Sequence, residues 1–238
     1  MAIKPTVVLV HGAFSDGASW SPVAMRLLGE GLEVRVPAIS NRSLAADAAY
    51  VRSFVERIDG PVLLVGHSYG ATVAGVAGDA ANVRGLVFIE GYVLEVGESA
   101  QDVHRRFPDP EAMPYFDEAA YPVPGEADAA EISVRIEEFP FLTALGIPAD
   151  EAAVLAVTQR PLDAEVLAEP ATVAAWRDRP SWGVVATADR LINPEAVRFG
   201  LDRAGVRELV ELPGPHLVLH THPGDVARLI VDAADAVR

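Results

Sequence analysis

The sequence predicts an α/β fold, a mostly parallel sheet of about six strands flanked by helices, and three observations carry that prediction. Short β-branched, apolar runs recur without polar alternation, as strands buried on both faces require. Helical patterns lie between them, and strand–helix alternation implies a parallel sheet wrapped by its crossovers. The charge, finally, is uneven. Residues 1–89 hold seven acidic and seven basic side chains, residues 90–180 nineteen and six, and residues 181–238 eight and six. Ten of the eighteen prolines fall between Pro108 and Pro180. The sequence thus reads as one scaffold, residues 1–90 and 181–238, interrupted by an inserted helical cap over 91–180.

In chain order, Thr6–Val10 is the first strand and Glu33–Val36 a weaker one, with a helix at Ser21–Leu28 between them. That helix opens on a serine followed by Pro22, a favourable start. Leu44–Ile58 is a second helix, placing Ala48, Val51, Val55 and Ile58 on one face. Val62–Gly66 and Leu86–Ile89 are strands around a helix at Ala71–Gly78. In the middle region Ala149–Thr158 and Glu165–Arg177 have helical spacing, while Asp102–Tyr121 is too proline-interrupted to assign. Strand Gly183–Ala186, helix Pro194–Ala204, a weaker strand Glu208–Leu212 and helix Pro223–Val237 complete the chain. In such sheets functional residues gather on loops beyond the carboxyl ends of the strands.

Composition narrows the chemistry. A chain of 238 residues suffices for one large domain. Cysteine is absent, which removes thiol nucleophiles, disulfides and cysteine-held metals, and Lys4 is the sole lysine, leaving no buried Schiff-base candidate. A net charge of −15 repels phosphate backbones and anionic lipid, so neither nucleic acid nor a membrane is an expected partner. The N-terminus runs straight into a strand-like segment, and the chain is read without a leader, as a cytoplasmic protein with no cofactor and no metal.

The strongest motif is Gly66-His67-Ser68-Tyr69-Gly70, directly after a strand and directly before a helix. Glycines flank the serine because the sharp turn has no room for side chains, and the helix N-terminus favours developing negative charge. Serine needs a base, itself oriented by a third group. His216 is the candidate base, since it follows the last strand on a Gly/Pro loop and so shares an edge with Ser68. His220 and His222 lead into the final helix, where capping or packing suits them better. Asp189, just past a strand end, is favoured as the acid over Glu90, which ends the strand after the serine's helix. Tyr69, following the serine, and Ala13, in the loop after the first strand, can donate amides to an oxyanion.

With Val8-Leu9-Val10-His11-Gly12-Ala13, the serine turn, Thr187-Ala188-Asp189 and Gly214-Pro215-His216 together, the chain resembles the α/β-hydrolase superfamily over essentially its whole length. Within it the chain is similar to the small branch of plant methyl esterases and hydroxynitrile lyases. The resemblance implies a cofactor-free fold with a cap inserted between the strands ending near Ile89 and starting near Trp182. Pro215 departs from the usual Gly-His or Ser-His and affects loop rigidity more than the assignment. The lyases carry a threonine and a lysine where this chain has Gly12 and Leu217, the esterase-like choice. Dehalogenase and epoxide hydrolase relatives use an aspartate where this chain has Ser68.

The expected activity is hydrolysis of a small carboxylic ester or lactone through an acyl-enzyme. Acyl transfer, C–C cleavage and cyclisation use the same groups, and a receptor-like binding protein could retain them. Eight of the sixteen aromatics lie in residues 90–180. They read as a small core, some of them lining a cavity beneath the cap. Phe14, Tyr92, Phe139, Phe141, Trp176 and Leu217 are the candidate substrate contacts.

Overall fold

A computed structural model describes residues 4–238. The leader expectation rests on residues 1–3 and lies outside them. Strand β1 (Thr6–Val10) is buried along its length. A short 3₁₀ turn capped by Asp16 leads into α1 (Ser21–Gly29), which has Pro22 in its first turn. The weak strand shrinks to β2 (Val34–Arg35), an edge pair. Helix α2 (Leu44–Glu56) is capped by Ser43, whose side chain accepts from the Ala46 amide. Strand β3 (Val62–His67) follows, then α3 (Tyr69–Ala77) and β4 (Val83–Ile89). All nine residues of α3 are buried, as expected of a helix that is apolar on every side.

The intervening segment holds α4 (Ala100–His104), β5 (Phe116–Tyr121), β6 (Ala129–Val134), α5 (Phe139–Thr143), α6 (Ala149–Val157) and β7 (Leu162–Asp163). The scaffold resumes with β8 (Ser181–Ala186), α7 (Pro194–Ala204), β9 (Leu209–Leu212), α8 (Val218–Thr221) and α9 (Pro223–Ala236). The main sheet has the order β2-β1-β3-β4-β8-β9 with every pairing parallel. Side-chain alternation divides its core. Val8, Val10, Leu64 and Phe88 pack towards α2 and α3, while Val7, Leu9, Val65 and Ile89 pack towards α1 and α9. Both faces are apolar, which is why these strands show no polar alternation.

The expectation of a purely helical insertion is corrected. Strands β5, β6 and β7 form a second, antiparallel sheet. The β5–β6 hairpin turns through Pro122, Pro124 and Gly125, the last at φ 84°. Arg42 of the scaffold stacks 4.0 Å over the Tyr121 ring and pairs with Glu131 at 2.7 Å, so β5 and β6 are anchored from outside. The helix expected over Glu165–Arg177 is also absent. Pro170 interrupts it, leaving two 3₁₀ turns at Ala164–Ala168 and Ala175–Arg177.

Named bonds tie the insertion to the carboxyl edge of the main sheet. The Phe14 amide donates to the Arg160 carbonyl at 3.0 Å, and the Arg160 guanidinium donates to the Ile39 carbonyl at 2.9 Å. The Leu217 amide donates to Thr143 at 2.9 Å, and Glu169 accepts from Ser43, Leu44 and Ala45 at the start of α2. Among the described residues no helix is long and apolar enough to cross a membrane.

Candidate active site

Because every main-sheet strand runs the same way, the segments after β1, β3, β4, β8 and β9 emerge on one edge. They carry Ala13, Ser68, Glu90, Asp189 and His216, the residues the sequence singles out. Ser68 sits between β3 and α3 at φ 54° and ψ −127°, a left-handed backbone costly for any residue with a Cβ. Its neighbours make the turn possible. A Cβ on Gly66 would lie 2.1 Å from the Gly70 carbonyl oxygen, and one on Gly70 2.3 Å from that of Val10. A Cβ on Gly91 would lie 2.3 Å from the Ser68 carbonyl, and one on Gly12 2.7 Å from the Ser68 Cβ. Gly91 was missed in the sequence, although its place right after a strand-end acid was a signal.

The four non-glycine residues with positive φ among those described are Phe14, Asn41, Ser68 and Glu90. Ser68, Phe14 and Glu90 belong to the strand-end loops just named, and Asn41 joins Phe14 through the Arg160 carbonyl. Strain that gathers in this way marks a site the surrounding fold holds in place. In the loop after β1, Phe14 donates its amide to Arg160, while the amides of Ala13 in that loop and of Tyr69 at the start of α3 make no hydrogen bond among the described residues. Both are therefore open to an anion near Ser68.

The candidate base and acid are joined. The Nδ1–H of His216 donates to Asp189 Oδ2 at 2.7 Å, and both residues are buried. The other oxygen of Asp189 accepts from the amides of Leu191 at 2.7 Å and Ile192 at 3.3 Å. Burial alone would raise this carboxyl. The adjacent His216, with the hydrogen bonds Asp189 accepts, outweighs burial and holds it below the ordinary aspartate range. His216 Nε2 is buried and has no hydrogen-bond partner among the described residues, so its lone pair is free to take a proton. The elbow locates this ring: His67 lies 4.9 Å from it, and His67 Nε2–H donates to the His216 carbonyl at 2.9 Å.

The other histidines of that loop turn elsewhere. His220 pairs with Glu151 of the insertion, and His222 Nδ1 bonds the Thr221 hydroxyl rather than capping α9. Glu90 does not pair with His216. Its Oε2 accepts the Ala186 amide.

The sequence reading also missed Asp47. This buried acid accepts from the Ser40 amide and hydroxyl, both at 2.8 Å, from the Asn41 amide at 3.0 Å and from the Tyr69 phenol at 2.9 Å. It thereby tethers the residue after the serine to α2. Burial, then the Asp47 charge, pushes the Tyr69 phenol far up and keeps it a donor. A signal was available, because Asp47 lies on the otherwise apolar face of α2 beside Leu44, Ala48 and Val51.

The expected substrate contacts divide. The Phe14 ring packs 5.7 Å from Phe116 of β5, and Leu217 and Phe139 are buried. Tyr92 lies near the acids: burial, then Asp189 and Glu90, raises its phenol. Two expectations need correction. Phe141 is 42% exposed beneath the Arg190 guanidinium and faces outward. Trp176 donates its indole N–H to the Leu94 carbonyl at 2.8 Å and is flanked by Arg177 and by Arg203 of α7, an anchor between the insertion and the scaffold. A cleft of about 320 Å³ lies between α2 and the insertion, lined by Arg42, Ser43, Asp163 and Glu169 among others. None of the triad candidates borders it.

Acid should weaken this arrangement. Burial first, then the neighbouring His216, lowers His67 to about 3. The unfolded chain binds that proton from about pH 6.5 downward, so folded stability is present above 6.5 and lost as pH falls towards 3. Reaching pH 4.5 costs about 3 kcal/mol from this group alone, a large share of a typical domain's stability. The thermal midpoint should fall between pH 6.5 and 4.5, and less steeply in His67→Gln, which keeps a donor for the His216 carbonyl. Equal slopes in both proteins would assign the loss to other groups.

The comparisons agree with this fold. The chain belongs to the Alpha/beta hydrolase family, whose sequence profile matches residues 7–229. Polyneuridine aldehyde esterase superposes with a TM-score of 0.85 at 15% identity, over 98% of this chain and 100% of that one. Tomato methylketone synthase I superposes at 0.81 with 14% identity, over 99% and 100%. A pyrethroid hydrolase from Sphingobium faniae JZ-2 gives 0.74 with 19% identity, over 98% of each chain. No curated protein matches the chain.

Proposed function

We propose that this α/β hydrolase cleaves small carboxylic esters or lactones through an acyl-enzyme on Ser68. The single observation that supports the reading best is the buried His216–Asp189 pair, its free Nε2 held beside a strained serine elbow. Ser68 Oγ attacks the carbonyl carbon while His216 Nε2 takes its proton. The tetrahedral oxyanion is met by the Ala13 and Tyr69 amides, and His216 returns the proton to the leaving alcohol. Water then attacks the acyl-enzyme with His216 again as base. Asp189 keeps the proton of His216 on Nδ1 and stabilises the imidazolium that forms. In this reading the insertion is a cap, and Phe14, Phe116 and Leu217 supply apolar walls.

The test is turnover of p-nitrophenyl acetate and butyrate, followed by a panel of esters and lactones of different acyl length. Hydrolysis that stops when one equivalent of a fluorophosphonate has reacted supports the reading, and no turnover of any member counts against it. A matched pair of esters adds a prediction about charge. The segment over the sheet edge, residues 90–180, has nineteen acidic and six basic side chains, and its field reaches about 8 Å at physiological salt. A neutral ester should show higher kcat/KM than a carboxylate-bearing one of equal size, and added salt should narrow the gap. Equal values at both salts would leave that charge without a catalytic role.

A further inference from the structure

Glu90 is fully buried, and the mechanism above does not use it. Its backbone, at φ 45°, turns the chain sharply after β4. Its amide donates to the Val184 carbonyl at 3.0 Å, which holds that turn against β8. The side chain therefore points at the segment that carries Asp189. Oε2 accepts the Ala186 amide, at the residue whose carbonyl accepts the Asp189 amide, while the buried Oε1 meets no N–H or O–H donor among the described residues. Two carboxyls buried at adjacent strand ends, with no cation among the described residues bonded to either but His216, are not both charged, so one of them holds a proton. The donors decide which residue holds it. Asp189 accepts from His216 and from the Leu191 and Ile192 amides, whereas Glu90 accepts from Ala186 alone.

We propose that Glu90 is a positioning residue, a neutral carboxylic acid that donates a hydrogen bond to Asp189 and fixes that carboxylate against His216. The remaining groups around it leave this assignment intact. Arg198 of α7 feels Glu90, but its guanidinium is bonded to Glu195 and to Glu211. Tyr92, in the same loop, is a neutral phenol near both acids. Burial, then the charge of Asp189, raises the Glu90 carboxyl well above the ordinary glutamate range. The neutral acid draws charge from Asp189 and, with the two amides, leaves that carboxylate a single orientation towards the imidazole.

The inference rests on the triad read above, and its test separates the two. Glutamine at position 90 keeps both functions: its amide N–H can face Asp189, and its oxygen can accept from Ala186. Leucine keeps neither. The rate of fluorophosphonate labelling at Ser68, followed against pH, reports the reactivity of the triad whatever the natural substrate is. Glu90→Gln should label within about threefold of wild type with the same acidic limb. Glu90→Leu should be slower by about 10- to 100-fold, as for lost outer hydrogen-bond partners, with its acidic limb moved to higher pH. Infrared spectra of glutamate-labelled protein at neutral pH should show the carbonyl stretch of a protonated acid, lost in Glu90→Gln. That measurement needs neither turnover nor the leucine variant to fold. A missing band, or glutamine as damaging as leucine, would overturn the proposal. So would a leucine variant that loses thermal stability while labelling with the wild-type rate and pH profile.

Discussion

Replacing Ser68 by alanine should lower ester turnover by about 10⁴-fold or more and leave the fold in place, because nucleophile and base act as a unit. The structure explains why the fold should survive. The Ser68 amide, not its hydroxyl, bonds the Ile89 carbonyl at 2.9 Å, and its carbonyl accepts the Ala71 amide at 2.9 Å. Alanine bears the left-handed strain of this position about as serine does, so the thermal midpoint should stay close to that of wild type. A fluorophosphonate should add once to the wild-type chain, at Ser68, and not at all to the variant. Mass spectrometry of the labelled peptide checks this directly. An adduct elsewhere, or an alanine variant with undiminished turnover, removes Ser68 from the mechanism.

The elbow was legible in the sequence because its constraints are local. The steric demands of Gly66 and Gly70 fall within two residues of the serine, and the strand before it and the helix after it each carry a pattern of their own. Asp189 and His216 were legible for a related reason, since in a parallel sheet a residue just past a strand end has its edge already decided. The second sheet was not legible. Strand β5 reads Phe-Asp-Glu-Ala-Ala-Tyr, has little intrinsic strand preference, and is held by pairing with β6 and by Arg42, far away in the chain. The same holds for the outward turn of Phe141, which depends on Arg190. Asp47 and Glu90 lay between these cases. A charged residue within an apolar pattern announces a buried partner without saying which one, and both partners, Tyr69 and Asp189, come from other elements.

Asp189→Asn should cost about 10⁴-fold in turnover, close to the loss at Ser68, through the proton on His216 rather than through geometry. The local hydrogen bonds decide how the new amide lies. The Leu191 and Ile192 amides both donate to Asp189 Oδ1 and would repel an NH₂ group there, so the asparagine oxygen must take that place. Its NH₂ then faces His216 Nδ1, which becomes an acceptor, and the ring proton moves to Nε2. An Nε2–H cannot accept the Ser68 proton, although every heavy atom remains where it was. Turnover should therefore collapse while the thermal midpoint changes little, and fluorophosphonate labelling should slow in parallel. Glu90→Gln, by contrast, leaves the tautomer of His216 alone and should be mild. The two amide variants, measured side by side at one pH, distinguish the acid that orients His216 from the acid that supports it. If Glu90→Gln is the more damaging of the pair, the orienting carboxylate belongs to the end of β4 and Asp189 becomes the supporting residue.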